Sequence, residues 1–155
     1  MGLAEFLRLE QITAMYRQIT PSLMIMALTV YTVSFVALWP VYNKTVLIIW
    51  YGTGIITTIC RRLSAKKFLT LDITTENCKP WADKATLWAL LSGISWGLVF
   101  IFFSSPDHFF QLIFLLGVYG CLVSLSASNF GSCIPVYFAF SLSITLLFLG
   151  KLICL

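Results

Sequence analysis

Apolar residues in this chain fall in long blocks, and the charged residues lie in the short stretches between them or at the ends of the blocks. The blocks lie at residues 21–39, 43–60, 83–103, 109–129 and 132–153. Each approaches the roughly 20 apolar residues a helix needs to cross a bilayer. A helix with one wet face would show apolar positions at intervals of three and four. These blocks are apolar all round, so their solvent must be lipid. The pattern predicts an all-α, polytopic transmembrane helical bundle: about five transmembrane helices over 21–155, led by a short interfacial helix over 1–20.

The breaks carry helix signals of their own. Pro21 suits a first helical turn, where its missing N–H costs nothing. Trp39-Pro40 ends the first span with an aromatic at the interface, and the second starts near Asn43. Pro80-Trp81 opens the third. Ser104-Ser105-Pro106-Asp107 turns into the fourth, and Asn129-Phe130-Gly131-Ser132 into the fifth. Residues 1–20 mix Glu5, Arg8, Glu10 and Arg17 with apolar positions, unlike a cleavable signal peptide, so the first span is retained. Leu3, Phe6 and Leu7 mark the lipid-facing side of this amphipathic segment.

Composition supports the same class. Apolar residues make up 59% of the chain and charged residues 10%, with a mean hydropathy of +0.93, whereas a soluble domain carries roughly 25% charged residues. Charge then sets orientation. Arg8, Arg17, Arg61, Arg62, Lys66, Lys67, Lys79 and Lys84 fall on one side of the predicted spans, and only Lys44 and Lys151 on the other. Basic short loops stay cytoplasmic, which predicts a cytoplasmic N-terminus and basic loop 61–82, with the C-terminus outside after a fifth crossing. Arg61 to Leu69 has helical spacing that continues the second helix past the membrane. Its basic cluster reads as a topology determinant touching anionic headgroups, with docking of a nucleotide or partner protein as the alternative.

Residues that could carry chemistry are few. No acid or base falls in the core of a block, which argues against a proton-coupled transporter. Cys60, Cys78, Cys121, Cys133 and Cys154 have no CxxC spacing and read as small packing residues. His108 stands beside Asp107 without a second histidine. Asp107 is expected to cap the following helix and His108 to be solvated there; the alternative is a pH- or ligand-responsive contact that includes Gln111. No catalytic residue, metal-ligand set or cofactor is expected, and the chain reads as no enzyme. Gly93-Ile-Ser-Trp96-Gly97 in the third span, and Gly117, Gly120, Ser124 and Ala127 in the fourth, place small residues at helical spacing. Such faces let helices approach closely, with a small-molecule pocket as the alternative and Trp96 filling or lining the gap. Pro135 is expected to loosen the fifth span or act as a hinge.

This order of features resembles a family. A charged amino-terminal segment, two helices, a basic loop, Gly93-Ile-Ser-Trp96-Gly97, a turn with Asp107-His108, a glycine- and serine-rich helix and a last one opening on Pro135-Val-Tyr-Phe are similar to the MASE-like N-terminal multi-helix membrane sensor domain of bacterial diguanylate cyclases and sensor histidine kinases. There, six helices precede a cytoplasmic output domain. The resemblance implies a sensory input module in the bacterial inner membrane, with a signal site near Gly93, Trp96, Gly97, His108 and Gln111. The chain has five blocks and no Gly-Gly-Asp-Glu-Phe signature, phosphoacceptor histidine segment or ATP-binding glycine boxes, so the resemblance implies a truncated member without output activity. The other readings are a small multi-pass transporter or channel component and an accessory subunit of a membrane complex. The partners expected are the lipid bilayer and a second copy or larger membrane complex, with no nucleic acid.

Overall fold

Thr20 and Pro21 start the first apolar helix as their side chains dictate. The Thr20 hydroxyl accepts the Leu23 N–H at 3.3 Å, and Pro21 takes the first position. A computed structural model of the chain describes residues 3–71, 74, 77–103, 108–131 and 133–153. Among them it has six helices and no strand: α1 (Leu3–Gln18), α2 (Pro21–Leu38), α3 (Lys44–Leu69), α4 (Cys78–Phe103), α5 (Phe109–Phe130) and α6 (Ile134–Ile153). The last five are long and apolar enough to cross a membrane. The protein is an all-α, multi-pass membrane bundle.

Local chemistry explains most boundaries. Asn43 caps α3, its Oδ1 accepting the Thr45 N–H at 3.0 Å. No glycine or proline interrupts residues 55–69, so α3 runs on to Leu69, with Lys66 and Lys67 in the last turn facing its negative dipole end. The expected loop 61–82 therefore shrinks at both ends: residues 61–69 belong to α3 and 78–82 to α4. Pro80 sits in the first turn of α4, where its missing donor is tolerated. Pro135 is likewise the second residue of α6. It removes no helical hydrogen bond there and hinges nothing, contrary to the expectation.

The hydroxyl groups find partners mainly on their own helices, as lipid requires. Thr58 donates to the Gly54 carbonyl at 2.8 Å, Ser92 to Trp88 at 2.8 Å and Ser143 to Ala139 at 2.7 Å. A few bonds cross between helices. The Trp50 indole N–H donates to the Ser95 carbonyl at 3.0 Å, tying α3 to α4, and Tyr119 and Thr145 hydroxyls meet at 3.0 Å between α5 and α6.

α4 is the central helix. Its most apolar stretch is 44% buried, against 11 to 17% for the other spans. Its closest partner is α6. A Cβ on Gly93 would lie 2.6 Å from the Phe140 carbonyl oxygen and collide with the Ser143 hydroxyl; one on Gly97 would strike Leu147. These two glycines let the two backbones meet. The glycines of α5 do the opposite of what their spacing suggested. Gly117 and Gly120 have no neighbouring atom within 4 Å, and with Ser124 and Ala127 they lie on the exposed side of the bundle.

α1 is more than a surface float. Ile12, Met15 and Tyr16 are buried against the bundle, and in water each such aliphatic side chain contributes about 1.5–3 kcal/mol. Tyr16 stacks on Phe68 of α3 with centroids 4.2 Å apart and donates its hydroxyl to the Trp81 carbonyl of α4 at 3.0 Å. Burial pushes that hydroxyl up to about 12, against a smaller opposing pull from Arg61. Leu7, on the side expected to meet lipid, is exposed; the side chains of Leu3 and Phe6 lie outside the described set.

Candidate functional site

Trp96 is buried, 3% exposed, at the junction of three helices. Its ring lies 4.5 Å from Tyr31 of α2 and meets Trp50 of α3 edge-on at 5.3 Å. Gly54 makes room for this cluster, since any side chain there would run into the Tyr31 ring. Gly93 and Gly97 bracket Trp96 in sequence but face α6. The segment is thus split by function: the glycines set helix approach, and the indole faces α2 and α3.

Trp96 and Tyr31 close one end of a cavity of about 110 Å³. Its sides are apolar: Leu23, Met24, Ala27 and Val30 from α2 face Leu122, Leu125 and Phe130 from α5. Met26, 40% exposed, forms part of its rim, so the space opens to the outside of the bundle between these helices, which touch only sparsely. The lining hydroxyls of Thr58, Ser92 and Ser126 are already bonded to carbonyls of their own helices.

The opposite end is cationic. Arg61 and Arg62 of α3 both line the cavity. From Lys44 to Arg61 the helix rises about 26 Å at 1.5 Å per residue, so with Lys44 at one face of a hydrocarbon core of about 30 Å, Arg61 stands near the other. Arg62 is committed to structure, its Nη1 donating to the Ile19 carbonyl in the α1–α2 link. The Arg61 guanidinium lies 4.9 Å over the Phe130 ring, a cation–π contact made through its face, and its N–H groups have no hydrogen-bond partner among the described residues. Among the described residues no carboxylate pairs with it. Arg61 also borders a second, water-sized space of about 10 Å³ shared with Trp88 and Ser64. The Trp88 indole N–H is buried there without a partner among the described residues.

His108 and Gln111 stand elsewhere. His108 occupies the N-cap of α5 without a side-chain capping bond. It is half-buried rather than solvated, edge-on to Tyr42 at 5.7 Å. Asp107, expected to cap this helix, lies outside the described residues. Neither His108 nor Gln111 lines the cavity. Ring contacts do link the two regions: Trp96 meets Trp50, Trp50 meets Phe103 at 6.4 Å, and Phe103 meets Tyr42 at 5.2 Å.

A scan against protein-family models, a search of curated proteins and a search of solved structures each found no match. Among the described residues no group of His, Cys, Asp or Glu is spaced to hold a metal ion. What the cavity offers is binding, through apolar walls, a deep aromatic face and one uncommitted guanidinium. Sequence reasoning singled out Trp96 and placed Arg61 in a basic cluster touching headgroups, but found neither Tyr31 nor Trp50, nor the cavity that Arg61 lines. Arg61 was legible in part: an arginine three residues after Thr58 on an unbroken helix must lie on nearly the same face.

Proposed function

We propose that the chain is a sensory input module of a bacterial inner-membrane signal-transduction protein, inserted with its N-terminus in the cytoplasm. A membrane-dissolved ligand enters between α2 and α5, reaches Trp96, and favours one packing of these helices over another. Two packings separated by a few kcal/mol suffice, provided the ligand binds one better than the other. The observation that carries this reading is the cavity itself, open between two sparsely touching helices and backed by the α4–α6 pair that glycines hold close. The one-sided distribution of Lys and Arg supports the orientation.

Reconstitution tests it. In liposomes the chain passes no solute, and its tryptophan fluorescence responds saturably to lipids extracted from bacterial inner membranes, with the response lost in Trp96→Phe. Solute flux without any fluorescence response would replace the sensory reading by a transport one.

A further inference from the structure

The cavity has a chemical polarity that narrows its ligand. At about 110 Å³ it is smaller than the roughly 150 Å³ that houses a benzene ring and well below the 300–1,000 Å³ of sites that enclose whole drug-sized molecules. It holds a short alkyl segment, not a complete ligand. The rest of the molecule must remain outside, and what lies outside this rim is lipid. The walls suit an alkyl chain, because Met24 and Met26 are flexible enough to follow its shape. The end at Arg61 suits the opposite chemistry. Arg61 is half-buried, stands near the level of the headgroups, and has no carboxylate partner among the described residues. Ser92, Ser126 and Thr58 cannot select a headgroup, their hydroxyl protons being already given to carbonyls, and the Arg62 Nη1 is held by Ile19. The guanidinium of Arg61 is the group left to choose.

We infer that the cavity takes a membrane-dissolved amphiphile with an anionic head, its alkyl chain lying between α2 and α5 and its carboxylate or phosphate on Arg61. The inference rests on the reading of this cavity as a ligand site and adds the ligand's class. An arginine presents paired N–H donors that match both oxyanions, so a fatty carboxylate and an anionic phospholipid share the required chemistry. Lys66 and Lys67, one turn further along α3, raise the local concentration of either but do not line the cavity.

Native mass spectrometry of the full chain, released from detergent after titration with phosphatidylglycerol, oleate or phosphatidylcholine, tests the inference and separates the sources. One anionic amphiphile binds saturably, with Kd at least tenfold lower than for phosphatidylcholine, and the tighter of the two anionic probes identifies the source. Arg61→Gln removes the preference, Arg61→Lys retains part of it, and Ala27→Phe, which fills the cavity from α2, abolishes the bound species while the melting temperature by circular dichroism does not fall. Equal binding of anionic and zwitterionic probes, lost in Ala27→Phe, overturns the headgroup assignment and leaves the cavity reading standing. Displacement of the bound amphiphile by inorganic phosphate overturns the amphiphile assignment in favour of a free anion. Saturable binding of none of the three probes overturns the inference and the cavity reading together.

Discussion

Two helix seams of this bundle are built on opposite rules. Between α4 and α6 the contact residues are small: Gly93 and Gly97 admit the backbone at Phe140 and the side chains of Ser143 and Leu147, leaving no room for a Cβ. Between α2 and α5 they are large and flexible, Met24, Met26, Leu122 and Leu125, and a cavity remains. Lipid supplies no hydrophobic drive for helices to associate. Close van der Waals contact has to do it, and a void forfeits that contact. The first seam is therefore a fixed one. The second is free to change its spacing, and anything that enters restores lost contacts.

The largest expected effect breaks the fixed seam. Gly93→Ala puts a methyl group 2.6 Å from the Phe140 carbonyl oxygen, a backbone atom that cannot step aside. Overpacking of this kind costs about 1–3 kcal/mol or more, which equilibrium unfolding in detergent would register. Gly120→Ala, facing open space, changes the same transition by less than about 0.5 kcal/mol. Equal effects at the two positions would mean that α4 and α6 are not packed as described.

The next effect falls at the cavity's basic rim. Arg62→Gln removes the donor to the Ile19 carbonyl, and a lost charged hydrogen bond costs about 1–3 kcal/mol. Hydrogen exchange of the α1 amides rises at least tenfold while that of α4 does not change. Ala27→Phe follows, with a smaller effect of opposite sign. Filling a cavity commonly stabilises by about 0.5–2 kcal/mol, so this substitution raises the melting temperature slightly or leaves it unchanged, whereas at Gly97 even a methyl group would strike Leu147.

The smallest effect concerns α1 and pH. Burial holds the Tyr16 hydroxyl neutral up to about 12, above its ordinary value of 10.0. A raised folded-state value stabilises the neutral, docked form fully below pH 10, and that contribution is lost as pH rises through 12. Phenolate absorbance recorded against Tyr16→Phe should show one tyrosine titrating late, with α1 released over the same interval.

The spans were legible because length and continuity of apolar residues are properties of sequence alone. Pro21 and Asn43 marked true helix starts for the same reason, since the first helical turn is set locally. The seams were not legible in that way. Gly93 and Gly97 share their helical spacing with Gly117, Gly120, Ser124 and Ala127, yet only the first pair meets another helix. Nothing within a helix's own sequence says which neighbour it faces. The helical spacing of Arg61 to Leu69 was legible, and α3 does continue to Leu69; that Arg61 turns inward to line a cavity was not, because this depends on Phe130 of another helix. His108 read as solvated because the ring of Tyr42 reaches it from the α2–α3 turn, 66 positions earlier in the chain.

Pulsed electron resonance on spin-labelled protein in lipid nanodiscs measures both seams directly. One label pair reports α2 and α5, at Ile25→Cys and the native, exposed Cys121; the other reports α4 and α6, at Leu91→Cys and Leu146→Cys, each pair with every other cysteine replaced by alanine. The α4–α6 distance is a single narrow peak that no added lipid alters. The α2–α5 distribution is broad or double, and phosphatidylglycerol or Ala27→Phe collapses it to one component. Two equally narrow distributions, neither responding to lipid or to Ala27→Phe, would contradict the division of the bundle into one fixed and one adjustable seam.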